Sequence, residues 1–169
     1  MNNPTINDLL TFANLQMAAE TFLANKAGQL ETNPKQVLIE GNFHASRFTP
    51  TQADAFLKEW EVVAQKPTTS TGFSGTLFKN RKTDELVISL RSTEFIDDAA
   101  RDNEATNSLE IFETGYAWGQ LRDMARWYQE LQQRGDLPAN ANLTVTGYSL
   151  GGHLATALNL VVVDRPCLH

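Results

Sequence analysis

An α/β architecture, a sheet with flanking helices, is expected for this 169-residue chain. Three observations lead to it. Strand-like apolar runs alternate with stretches whose apolar residues recur at three- and four-residue steps, the period of a helix with one buried face. Gly and Pro fall at the joints between these stretches. The run Leu143-Thr144-Val145-Thr146 passes through a glycine-rich turn directly into a helical stretch, as in the strand-to-helix units of α/β sheets. The length fits one domain, 1–169, with a helical N-terminal region over 1–66 and a sheet core over 73–163.

The elements follow in order. Ile6, Leu9, Leu10, Ala13, Met17 and Phe22 lie at helical spacing after Thr5, with Asp8 three residues on as an imperfect capping box, so 6–23 is expected to be helical. Asn33-Pro34 places an N-cap before a proline at the first helical position, and Gly41 ends that short helix. Thr49-Pro50-Thr51-Gln52 repeats the device, with Phe56, Leu57, Trp60 and Val63 as one apolar stripe, which predicts a helix over 50–64. After the polar linker Thr68 to Gly72, the runs Phe73–Lys79 and Glu85–Arg91 flank the turn Asn80 to Asp84 and predict adjacent strands. Leu109 to Leu131 reads as a long amphipathic helix ending near Arg134-Gly135. Residues 142–147 predict a strand and 150–160 a helix.

Composition removes several function classes. Fourteen Lys+Arg against twenty Asp+Glu give a net charge of −6, unsuited to a phosphate-binding surface, so nucleic acid is not an expected partner. No apolar run approaches the ~20 residues of a membrane-crossing helix, so no transmembrane segment is expected. The N-terminus lacks the basic and apolar regions of a secretory signal, which predicts a cytoplasmic protein or export by a signal-less route. Cys167 is the single cysteine, so neither an intrachain disulfide nor a cysteine metal cluster can form.

The chemistry concentrates in Gly147-Tyr148-Ser149-Leu150-Gly151, a G-x-S-x-G pattern between a strand and a helix. A serine on so tight a turn is forced into a strained conformation that pushes its hydroxyl outward, and small residues two before and two after let strand and helix approach. Gly147 and Gly151 are those residues. The helix start behind Ser149 aims N–H groups and partial positive charge at any oxyanion formed there. Asp97, Asp98 and Asp102 are read as carboxylates matched to a helix dipole, and no metal site is expected.

The segment Val145-Thr146-Gly147-Tyr148-Ser149-Leu150-Gly151-Gly152-His153 resembles the nucleophile elbow of the class 3 lipases and their phospholipase relatives, members of the α/β-hydrolase superfamily. Leu90-Arg91-Ser92-Thr93, with Asp98 and Asp102 downstream, resembles that family's F-R-G-[ST] segment and its D-x-x-x-D spacing. Phe112-Glu113-Thr114-Gly115-Tyr116 resembles its V-H-x-G-F segment. Ser92, Ala99 and Glu113 depart from the family's glycine, tryptophan and histidine, positions that bear on subdivision and substrate. The resemblance covers about residues 73–160 and implies an α/β-hydrolase-type sheet. It implies Ser149 as nucleophile, Leu150 and Thr93 as oxyanion-hole residues, and Asp98 and Asp102 as braces of the oxyanion loop. The implied reaction is lipase-type ester hydrolysis of acylglycerol or phospholipid substrates, with no cofactor.

The order of such a triad requires an acid and a histidine after Ser149. A helix over 150–160 carries the chain roughly 16 Å from the turn. The five residues from Asp164 to His169 extend at most about 17 Å, so that pair is not expected to complete the site. His153 lies one helical turn behind Ser149, and His44 precedes the sheet. Three readings therefore stand: a serine ester hydrolase working through an acyl-Ser149 intermediate; a truncated, non-catalytic hydrolase scaffold without the triad Asp and His; and a peptidase or acyltransferase using the same turn, which the resemblance disfavours. A domain incomplete at its C-terminus would leave a sheet edge uncovered, which predicts self-association.

Overall fold

The computed structural model describes residues 5–42, 47–92 and 117–163. Along the chain these form α1 (Ile6–Ala19), α2 (Pro34–Glu40), α3 (Pro50–Glu59), β1 (Trp60–Lys66), β2 (Gly75–Asn80), β3 (Leu86–Leu90), α4 (Trp118–Arg134), β4 (Leu143–Gly147) and α5 (Leu150–Val163). The strands make one mixed sheet in the order β1-β2-β3-β4. β1, β2 and β3 are antiparallel neighbours, whereas β4 runs parallel to β3 with Leu90 opposite Gly147. The general α/β class is therefore the observed one.

Local chemistry explains where the helices start and stop. Thr5 accepts a hydrogen bond from the Asp8 N–H, and the Asp8 carboxylate accepts one from the Thr5 N–H, so the box that looks imperfect in the sequence is reciprocal. Thr49 and Gln52 repeat it at α3. Gly135 closes α4 in the left-handed conformation, with φ of 78°. Residues 109–116 of the helix expected from Leu109 lie outside the described residues.

Two helices end earlier than their apolar spacing implies. α1 stops at Ala19, where the Thr21 hydroxyl donates to the Ala18 carbonyl and competes with further helical pairing. α3 stops at Glu59, and residues 60–66, expected to be helical up to 64, form β1. Phe56 and Trp60 still share one core, which is why a four-residue step mimicked a continuing helix. Beyond Trp60 the neighbours Val62 and Val63 pack into opposite cores, which only extended backbone permits. Pairing with β2 and β-branched side chains outweigh the stripe.

The sheet is covered on both faces. Leu77, Ile88 and Leu90 face a core with Met124, Trp127 and Leu131 of α4 and Leu154 and Leu158 of α5. Phe78 and Val87 face the opposite core, built from Leu15 and Ala18 of α1, Leu38 of α2 and Phe56 of α3. Double coverage explains why every residue of β3 is buried and why its sequence is a nearly unbroken apolar run. Each such Leu, Ile, Val or Phe contributes roughly 1.5–3 kcal/mol by leaving water. Buried Gln65 ties the chain after α1 to the sheet, accepting from the Ala24 N–H at 2.8 Å and donating to the Thr21 carbonyl and the Thr76 hydroxyl, each at 2.9 Å.

Candidate functional site

Because β3 and β4 are parallel, their carboxyl ends open at one edge of the sheet, the edge where α/β proteins place their ligands. Only Tyr148 and Ser149 separate the end of β4 from the start of α5. To turn so sharply, Ser149 takes φ of +53°, the left-handed region that an L-residue enters at a cost of roughly 1–2 kcal/mol. Among the described residues, the other non-glycine with positive φ is Asp84, in the β2–β3 turn. Ser149 and Tyr148 are both exposed, Tyr148 at 68%.

The flanking glycines are required by close approach of backbone to backbone. A Cβ on Gly147 would lie 2.1 Å from the Gly151 carbonyl oxygen, and one on Gly151 would lie 2.1 Å from the Leu90 carbonyl oxygen and 3.2 Å from the Arg91 carbonyl carbon. The N-terminal turn of α5 therefore rests directly on the exits of both β4 and β3. The Ser149 carbonyl accepts from the Gly152 and His153 N–H groups at 2.9 and 3.3 Å, which starts the helix. The first N–H groups of a helix have no acceptor within it, so the Leu150 N–H belongs to a set of donors beside Ser149 at the positive end of the α5 dipole.

The exit of β3 is held from the N-terminal region. Gln16 of α1 donates to the Leu90 carbonyl at 3.2 Å and accepts from the buried Ser89 hydroxyl at 2.9 Å. Glu20, just past α1, accepts from the Gln16 amide at 3.0 Å and from the Ser92 N–H at 3.3 Å. Burial pushes the Glu20 carboxyl above its ordinary pKa, opposed by the Ser92 and Gln16 hydrogen bonds and by the charge of Arg91. Buried Arg91 bonds the Thr68 hydroxyl and lies 5.4 Å from the centre of the Phe22 ring.

Of the residues singled out in the sequence, the structure brings Gly147, Ser149, Leu150 and Gly151 together beside Leu90 and Arg91. Thr93, Asp98, Asp102 and Glu113 lie outside the described residues, as do His44, Asp164 and His169. His153 is half-buried, one turn into α5. Gln16 and Glu20 carried no motif, and their link to the site is a contact between residues more than seventy positions apart. Among the described residues no cluster of three or more His, Cys, Asp or Glu could hold a metal ion, and no helix is long and apolar enough to cross a membrane.

Compared with known proteins, the chain matches no family model, no curated protein and no solved structure.

Proposed function

We propose that the chain is a serine carboxylic-ester hydrolase of the lipase type, built on an α/β-hydrolase sheet and acting on acylglycerol or phospholipid esters. The observation that carries this reading is Ser149 itself: an exposed hydroxyl-bearing residue in the left-handed region, between a strand and a helix that two glycines allow to touch. Strain at a polar, exposed, non-glycine position is a recurrent property of functional sites. In the proposed reaction the Ser149 oxygen attacks the ester carbonyl, its proton passes to a general base, and a tetrahedral oxyanion forms. The Leu150 N–H and the positive N-terminal end of α5 stabilise that charge, joined by Thr93 in the role implied by the family resemblance. One such donor is worth roughly 3–4 kcal/mol in the transition state. Expulsion of the alcohol leaves acyl-Ser149, and attack by water releases the acid and regenerates the serine. Asp98 and Asp102 are proposed to brace the oxyanion loop, and the reaction needs no cofactor.

The position of His153 favours a second reading, a hydrolase scaffold that does not turn over. It is the histidine among the described residues, and it follows Ser149 along the helix instead of standing above the hydroxyl. Without a base the serine keeps its high pKa, and only the catalysis of binding and oxyanion stabilisation survives. Hydrolysis of p-nitrophenyl esters of graded acyl length separates the two. The hydrolase predicts turnover with a pre-steady-state burst that is absent in Ser149→Ala; the scaffold predicts equal background rates in both proteins.

A further inference from the structure

We propose that Glu20 is the positioning residue for the exit of β3: its carboxylate holds the Ser92 backbone N–H and so fixes the backbone of residues 90–92 beside the start of α5. For its consequence in catalysis this rests on the reading of Ser149 as a nucleophile; the hold on Ser92 does not. Three observations converge on it. Glu20 Oε1 is shared between the Ser92 N–H at 3.3 Å and the Gln16 amide at 3.0 Å, while Gln16 also holds Leu90 and Ser89, so one helix end grips four consecutive positions of the β3 exit at three of them. That grip lies where α5 presses, because Leu90 and Arg91 are the backbone against which a Cβ on Gly151 would collide. Glu20 is itself anchored, since the Asn42 side chain donates to its backbone carbonyl at 3.1 Å.

The geometry also assigns the donors. A Ser92 N–H engaged by the Glu20 carboxylate is directed away from Ser149 in that bond and so is not an oxyanion donor. The charged group acting on Glu20 among the described residues is Arg91, and the neutral Gln16 amide donates to its carboxylate. The raised pKa of Glu20 gives the arrangement a readable titration.

The test follows the Ser92 amide by NMR in the full chain, in wild type, Glu20→Gln and Glu20→Ala, together with the rate at which a fluorophosphonate labels Ser149. The Ser92 amide shift is expected to titrate in wild type with a midpoint above 4.5, the ordinary value for this carboxyl. In Glu20→Gln, which keeps an acceptor oxygen, the titration is expected to vanish while exchange protection of the amide and the labelling rate stay near wild type. In Glu20→Ala, which leaves the Ser92 N–H without its acceptor, exchange at Ser92 is expected to rise about tenfold, as for loss of a hydrogen bond. Labelling should then slow by about tenfold to a hundredfold, as for a displaced catalytic group. Amides of β2 serve as the control for global unfolding. A Ser92 amide insensitive to pH in wild type, or a Glu20→Ala protein that labels as fast as wild type, overturns the proposal. A titrating Ser92 amide in a wild type that does not label supports the hold by Glu20 and counts against the nucleophile.

Discussion

Replacing Gly151 by alanine tests the contact on which the site geometry depends. The new Cβ would start 2.1 Å from the Leu90 carbonyl oxygen, against an ordinary contact beginning near 3.4 Å, so α5 and β3 must separate by more than an ångström. Both partners are backbone inside a packed sheet, and neither can escape by a change of rotamer. Overpacking of this kind costs up to about 3 kcal/mol. The gain in helix propensity from Gly to Ala returns at most about 1 kcal/mol. The expected net loss is therefore about 2 kcal/mol, or a fall in Tm of roughly 4–8 °C for a chain of this size. Gly135→Ala is the matched control: Gly135 has φ of +78° but nothing within 4 Å of its would-be Cβ. It pays only the left-handed backbone cost, about 1 kcal/mol. Urea denaturation of both variants, with unchanged m-values, measures the difference. A Gly151→Ala protein as stable as wild type would refute the seating of α5 on β3.

Three further outcomes are expected. Ser149→Gly should be more stable than Ser149→Ala by about 1 kcal/mol in the same denaturation assay, because glycine relieves the positive φ that alanine retains; equal stabilities would mean that the turn is unstrained. Because the folded pKa of Glu20 is raised, its contribution to stability is fully present below 4.5 and is lost as pH rises through the folded value. Wild type should thus lose stability relative to Glu20→Gln over that interval, and parallel pH profiles of Tm would contradict this. Light scattering tests the self-association expected from the sequence; a monodisperse monomer would argue against it.

Much of the fold was legible because its signals are local. The Thr5–Asp8 and Thr49–Gln52 boxes, the proline at the start of α2 and the glycine after α4 each act within four residues, and each lies where it was read. The β2–β3 hairpin was legible from its polar turn. The change from helix to strand at Trp60 was not, because Phe56 and Trp60 reach the same core from either backbone, and the pairing that decides the matter comes from residues 75–80. At the site, Gly147, Ser149 and Gly151 announce themselves because their constraint is a close approach within five residues. Gln16 and Glu20 did not, since a glutamine and a glutamate near a helix end are ordinary there, and only the folded sheet brings Leu90 and Ser92 to them.

Whether Ser149 is an activated nucleophile decides between a working hydrolase and an inert scaffold. The most direct measurement is the intact mass of the protein after exposure to a fluorophosphonate, which forms a stable adduct with an activated serine, followed by peptide mapping. A single adduct on the peptide containing Ser149, absent from Ser149→Ala, is the predicted result. A folded protein that takes up no label, or takes it up equally in Ser149→Ala, would contradict the hydrolase reading and leave the scaffold in its place.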